Sequence, residues 1–281
     1  MLEEIYDVKW LKNNPAYAFL LGLAYAVIGI GGAILLFPDD PALISVAIIS
    51  ILLMPSLYQL SVIEEESEKS EGWFNLIDLL KKQKSAFKVY LFLFFGIFVT
   101  YAFFALFLPN LATNVLFQKQ LAILSGKALF DSGIFIHIFF NNFRILMLCF
   151  VISLIAGNGA IFLITWNASV WGTIFGNLAK TSASAVGKDP WIYFALIILS
   201  VLPHLVLEIT SYIISIISGS VISEASLKER IFSPQFNLIL KYNLVLLVLG
   251  FVILVIAALV ESYVLNNAST YSTIILQSFY K

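Results

Sequence analysis

The sequence predicts an all-α protein, a polytopic transmembrane helical bundle of about seven spans with one or two interfacial amphipathic helices. Charged residues make up 12% of the chain and hydrophobic residues 60%, whereas a soluble protein carries about 25% charged residues. Apolar runs of about twenty residues recur along the chain, which is the length that a helix needs to cross the hydrocarbon core. Strands of a membrane barrel would instead be about ten residues long with strict alternation.

The predicted spans follow one another through short polar turns. Proline before and after two aspartates, in Pro38-Asp39-Asp40-Pro41, marks a sharp reversal between the first two spans. Gly157-Asn158-Gly159 separates the fourth from the fifth. The seven spans are about Tyr17–Phe37, Pro41–Val62, Val89–Leu108, Ile134–Ala156, Ala160–Lys180, Trp191–Ser218 and Tyr242–Tyr263.

Two connecting segments are long enough to hold structure of their own. In the segment 64–88, Trp73, Ile77 and Leu80 share one helical face and lysines follow them. This pattern predicts either a helix lying in the membrane interface, with its lysines at anionic headgroups, or a connecting helix packed on the bundle. The segment Leu111–Ser132 shows a weaker form of the same pattern.

The distribution of lysine and arginine predicts the orientation of the chain. With a cytoplasmic N-terminus, ten of these residues lie inside and five outside, which favours an N-in, C-out topology in the cell membrane. The polar residues before the first apolar run are not followed by a signal-peptide cleavage site, so we interpret that run as a true span. Asn267-Ala268-Ser269 would then be an external glycosylation acceptor, on a short and weak pattern.

Composition also excludes some partners and cofactors. A net charge of −1 argues against nucleic acid as a partner. The single cysteine, Cys149, lies in an apolar run and cannot form an intrachain disulfide. We expect no cofactor and no metal.

Small residues recur at three- and four-residue steps on the first span (Gly22, Ala26, Gly29, Ala33) and the sixth (Ser211, Ser215, Ser218), which predicts close helix packing inside one chain or at a homodimer seam.

Polar residues inside three of the predicted spans form the candidate functional site. A charge at bilayer depth costs at least a few kcal/mol and is normally met by a partner or a wet cavity. Arg144 and Glu208 are the natural pair, since each is the only strongly charged residue in its span. Pro203 loosens the helix just before His204. The predicted intramembrane polar cluster comprises His137, Asn141, Asn142, Arg144, Asn167, Pro203, His204 and Glu208.

Three interpretations of this cluster remain open. It is a structural polar knot that fixes the helix arrangement, a conduit for an ion or small solute, or a site of chemistry. His204 and Glu208 are four residues apart on one helical face, and such a pair can do general acid–base work. Two ligands do not make a metal site, however, and the chain has no HExxH pattern, nucleophile motif or glycine-rich phosphate loop. We therefore expect no enzyme.

At these residues the sequence resembles the stage II sporulation protein M family. Phe139-Phe140-Asn141-Asn142-Phe143-Arg144 is similar to the family's F-x-N-N-x-R segment, and Pro203-His204-Leu205-Val206-Leu207-Glu208 to its P-H-G-x-x-E motif. Asn167 corresponds to a mid-helix asparagine of the family. Two departures remove glycines, since the chain has Leu205 after the histidine and Ala168 after the asparagine.

The resemblance implies a four-span core at 134–264, preceded by spans like those of longer, archaeal-type members. The expected organisation is a three-span region at 1–108 with a cytoplasmic interfacial loop at 64–88, an external amphipathic loop at 109–133, the core, and a tail at 265–281. In spore formers, the resemblance implies, the family member partners peptidoglycan-degrading enzymes. We expect a non-enzymatic scaffold or partner of membrane and envelope machinery, embedded in the lipid bilayer; the alternative is a transporter or channel that uses the polar cluster.

Overall fold

The computed structural model describes residues 11, 14–69, 76–124, 134–267 and 273–277. The described chain is built of α-helices, which confirms the all-α prediction. The long helices are α1 (Ala16–Leu36), α2 (Pro41–Lys69), α3 (Leu76–Phe107), α6 (Ile134–Ala156), α7 (Ile161–Val186), α8 (Pro190–Lys228) and α9 (Pro234–Asn267), and the short ones are α4 (Asn110–Leu116) and α5 (Gln118–Leu124).

Six stretches of the described chain are long and apolar enough to cross a membrane, as expected for a polytopic membrane protein. One of them, Phe135–Val186, contains both α6 and α7 with the 3-10 turn Gly157–Ala160 between them. Each of these two helices, of 23 and 26 residues, is by itself long enough to span the hydrocarbon core. The count of seven spans stays a prediction.

Hydrogen bonds at the two ends of the bundle give the direction of α7. Near its start, Asn158 donates to the Ser61 hydroxyl at 2.9 Å and accepts from the Tyr90 hydroxyl at 3.0 Å. At its far end, the Lys180 ammonium donates to the Leu108 carbonyl at 2.8 Å. Because Tyr90 and Leu108 lie near opposite ends of the apolar part of α3, α3 and α7 are parallel.

Helix α8 is the centre of the site-bearing half of the bundle and packs against α6, α7 and α9. Its serines bond directly to neighbouring helices. Ser215 donates to the Leu146 carbonyl of α6 at 2.8 Å, and Ser218 donates to the Asn243 carbonyl of α9 at 2.5 Å. These bonds, with the close approach of Gly219 to Phe150 and of Gly250 to Ser211, place α6 parallel and α9 antiparallel to α8.

Small residues allow the N-terminal helices to approach closely. A Cβ atom on Gly22 would lie 2.6 Å from the Leu93 carbonyl oxygen of α3, and one on Gly29 would collide with Ile49 of α2. Ala26 and Ala33, on the same stripe of α1, are fully buried. The small-residue stripe of the first span is therefore used inside the chain. The serines of the second stripe, on α8, are buried in the same way.

The structure of the two connecting segments differs from the prediction. Helix α2 continues to Lys69, and Ile77 and Leu80 belong to the first turns of α3, since no glycine or proline interrupts the sequence after Leu76. Trp73 lies outside the described residues, so the expected separate helix in 64–88 becomes, where it is described, an extension of two spans. The glycosylation pattern at 267–269 falls partly outside the described residues.

The described part of the segment 109–133 folds back into the bundle as α4 and α5. Gln120 is fully buried and donates to the Ala42 carbonyl at 3.2 Å and to the Ser169 hydroxyl at 3.4 Å. Phe117, also buried, packs its ring against Tyr101. This segment thus joins α2 to α7 as well as following α3.

Candidate functional site

The buried face of α8 carries a polar row of three side chains. His204, Glu208 and Tyr212 are spaced by four residues and are exposed by 8%, 6% and 0%. The Tyr212 hydroxyl donates to Oε1 of Glu208 at 2.8 Å. The Nδ1 atom of His204 is buried and has no hydrogen-bond partner within the described chain. Pro203 lies on the exposed side, and α8 continues past it without a break.

Helix α6 adds an asparagine pair to this row. Asn142 is 5% exposed, and its Oδ1 accepts a hydrogen bond from the side-chain nitrogen of Asn141 at 3.1 Å. The Ser215–Leu146 bond fixes the relative height of α6 and α8. In that register Asn142 lies level with Ser211, within about one helical turn of Glu208 along the axis.

Arg144 and His137 lie on the opposite side of α6. Both are exposed, and Arg144 makes no hydrogen bond or ion pair with the described part of the chain. At 3.6 residues per turn, Arg144 is rotated by about 200° from the buried Asn142. The expected ion pair between Arg144 and Glu208 is therefore not formed.

The side chain of Asn167 forms its hydrogen bond within its own helix, α7. It is 7% exposed, and its side-chain nitrogen donates to the Leu163 carbonyl one turn earlier at 2.8 Å. This is a bond within one helix, so it does not tie α7 to α6 or α8. Of the eight predicted site residues, the structure buries Asn142, Asn167, His204 and Glu208, half-buries Asn141, and exposes His137, Arg144 and Pro203.

Two residues that the sequence analysis did not include extend the row. Tyr212 continues the four-residue spacing of His204 and Glu208, and this spacing was a signal that could have found it. Glu261 on α9 is half-buried. The antiparallel register of α8 and α9 puts Glu261 level with the residues just before His204. The feature of the sequence that could have identified Glu261 is that it is a single acid near the end of an otherwise apolar span.

The hydrogen bonds described for this row lie within single helices, from Tyr212 to Glu208 on α8 and from Asn141 to Asn142 on α6. Among the residues that the structure describes, no group of three or more His, Cys, Asp or Glu side chains is placed to hold a metal ion. Cys149, on the buried face of α6, is fully buried and carries no disulfide. The row thus consists of one acid, one histidine, one tyrosine and two amides at the junction of α6 and α8, with a second acid on α9.

These features define a class, a multi-pass membrane protein whose spans are joined by buried polar side chains. The sequence profile of the family described as Stage II sporulation protein M matches residues 89–264. This is more than half of the chain, and the chain belongs to that family. No curated protein and no solved structure matches it.

The family match begins earlier than the predicted core at 134–264. It takes in the apolar part of α3 together with α4 and α5. In the structure, α3 lies directly on α7 through Gly172 and Gly176. The family region is thus larger than the four spans that carry the motifs.

Proposed function

We propose that the protein is a non-enzymatic scaffold in the cell membrane that holds a partner of the membrane or envelope machinery. The observation that carries this proposal is the division of polar groups between the two sides of α6. On the inward side, the amide of Asn142 accepts a hydrogen bond from Asn141, and the Leu146 carbonyl accepts one from Ser215 of α8. The groups left over, His137 and Arg144, face outward, where a second protein would meet them.

A transporter or channel is the second candidate, and a different observation favours it. Several buried polar atoms have no hydrogen-bond partner within the described chain, among them His204 Nδ1, Thr165 Oγ1 and Thr173 Oγ1. Buried polar atoms of this kind are usually satisfied by water or by a bound solute. A pathway through the bundle would bring both water and solute to these atoms.

Access of water to His204 separates the two functions. In a Cys149→Ala background, we expect a cysteine substituted for His204 to stay unlabelled by a small, charged thiol reagent in membranes. Lys188→Cys, in the exposed turn between α7 and α8, is the control and should react fully. Ready labelling of His204→Cys, with the fold intact by thermal melting, would reject the scaffold and support transport.

The scaffold also requires a complex. Gently extracted from native membranes, the protein should migrate as a larger assembly than the purified chain under the same detergent. Migration as the isolated chain would count against a stable partner.

A further inference from the structure

The outward face of α6 is a continuous stripe of exposed side chains. Its members follow one another at three- and four-residue steps, the spacing that keeps them on one side of a helix. The stripe runs along most of the helix and comprises His137, Phe140, Arg144, Leu148, Val151 and Ile155.

Most of this stripe suits lipid, and Arg144 does not. Phe140, Leu148 and Ile155 are exposed by 55%, 50% and 79%, as expected for apolar groups against acyl chains. Arg144 is ten residues from the first residue of α6 and twelve from the last. These separations correspond to about 15 and 18 Å along the axis, so its charge enters the middle of the hydrocarbon core. An arginine there costs at least a few kcal/mol when it has no counter-charge.

Among the described residues, no acid pairs with Arg144 at this depth. Glu208 is buried on the other side of α6 and accepts from Tyr212. Glu224 is 4% exposed and pairs with Lys228 near the end of α8. The backbone of Glu261 stands level with the residues just before His204, whereas the register of α6 and α8 puts the backbone of Arg144 level with Ile213, about 15–20 Å away along the axis. No ion pair joins Glu261 to Arg144.

The same reasoning excludes a second copy as the best occupant. A copy in the same membrane orientation presents its acids at the same heights, and those described within its spans are buried or lie at another depth. The other side of α6 is fixed, because the rings of Phe139 and Phe143 pack edge-on against Phe251 of α9. The stripe is therefore a firmly held surface with one positive charge that no described residue pairs.

We propose that the α6 stripe docks a transmembrane helix of a partner protein that carries one Asp or Glu at the depth of Arg144. The carboxylate forms a charge-assisted, two-point contact with the guanidinium, and apolar residues of the partner pack on Phe140, Leu148 and Val151. His137, two turns from Arg144 on the same face, adds a polar contact nearer the end of the helix. This proposal rests on the scaffold function and names the chemistry of its partner.

A synthetic helix tests the proposal without the natural partner. The probe is a fluorescent leucine–alanine transmembrane peptide with one central Glu, and its matched control has Gln there. The protein carries a donor dye on Lys188→Cys, in a Cys149→Ala background, in liposomes of neutral phospholipid. Energy transfer should show that the Glu peptide binds about tenfold more tightly than the Gln peptide, a difference of about 1.4 kcal/mol.

Substitutions at Arg144 then identify the contact. Arg144→Leu should abolish the preference for Glu, Arg144→Lys should keep part of it, and Arg144→Glu should instead prefer a peptide with a central Lys. Arg230→Leu, an exposed arginine between α8 and α9, is the control and should change nothing. Thermal melting confirms that each variant is folded, which is expected because Arg144 has no partner within the described chain.

Three results would overturn the proposal. Equal binding of the Glu and Gln peptides would mean that Arg144 is paired by lipid phosphates instead, and a preference that persists in Arg144→Leu would mean that another residue recognises the acid. Arg144-dependent energy transfer between two labelled copies would assign the stripe to self-association. If the Glu peptide does not dock and His204→Cys stays unlabelled by the thiol reagent, the acidic helix is rejected and the scaffold function stands. If the peptide docks and His204→Cys is labelled, the scaffold function alone is rejected.

Discussion

Glu208 is a buried carboxyl group, so hydrogen bonds from the protein stabilise it in place of bulk solvent. The Tyr212 hydroxyl, 2.8 Å away, donates one of these bonds. Replacing Tyr212 with Phe keeps the ring and removes the donor. Because a buried acceptor is then left with one bond fewer, we expect Tyr212→Phe to lower the free energy of unfolding by about 1–3 kcal/mol. Denaturation in mild detergent, followed by circular dichroism, measures this loss.

Tyr263→Phe is the matched control for this change. Tyr263 is 69% exposed on α9, so the same loss of a hydroxyl should leave stability nearly unchanged. Equal behaviour of the two variants would mean that the Tyr212–Glu208 bond does not stabilise the bundle.

At the scale of single residues, the sequence predicts which side chains are unusual but not where they point. His204 and Glu208 share a face at any rotation of α8, so their proximity follows from spacing alone. The pairing of Arg144 with Glu208 depended on the rotation of α6 about its own axis. That rotation is set by packing, since Asn142 and Leu146 turn inward and carry Arg144 outward.

Close helix contacts show how short sequence patterns act at the scale of elements. Gly172 and Gly176 of α7 lie against the backbone of α3, and a Cβ atom on Gly176 would be 2.7 Å from the Ala102 carbonyl oxygen. Small residues four apart allow this approach in lipid. We expect Gly176→Val to separate α3 from α7 and destabilise the protein by at least about 1–3 kcal/mol, as overpacking does elsewhere. Thermal unfolding in detergent measures it.

Gly31 on α1 provides the control, because a Cβ atom there would meet no atom within 4 Å. Gly31→Ala should be neutral or stabilising by about 0.5–1 kcal/mol, since alanine favours the helix. If Gly176→Val is as stable as Gly31→Ala, the α3–α7 contact is looser than described.

The elements themselves follow largely from the sequence. Apolar length predicts α6 at the observed bounds, α1 to within one residue and α7 to within six, and the glycines at 157 and 159 mark the turn between α6 and α7. The joining of the segment 76–88 to α3 was not predicted, because polar composition was taken to end a span although nothing there breaks a helix. The burial of Gln120 depends on contacts with α2 and α7, which are distant in sequence.

At the scale of the whole molecule, the contacts between helices fix an alternating arrangement. The turns that hold Asn158 and Phe232 lie at one end of the bundle, because they follow the parallel helices α6 and α8, and the turn that holds Lys188, at the start of α8, lies at the other. Contacts alone do not say which end faces the cytoplasm. That choice rests on the ten-to-five distribution of lysine and arginine.

Two exposed positions in these turns test the orientation in intact cells. In a Cys149→Ala background, Lys188→Cys should react with a membrane-impermeant maleimide added outside, and Phe232→Cys should react only after the cells are permeabilised. Both residues are exposed, so a difference in labelling reports the side of the membrane rather than burial. The reverse pattern would place the N-terminus outside. It would also invert the α6 stripe, so that His137 lies toward the cytoplasm from Arg144 and the partner helix has to present its acid from the opposite direction.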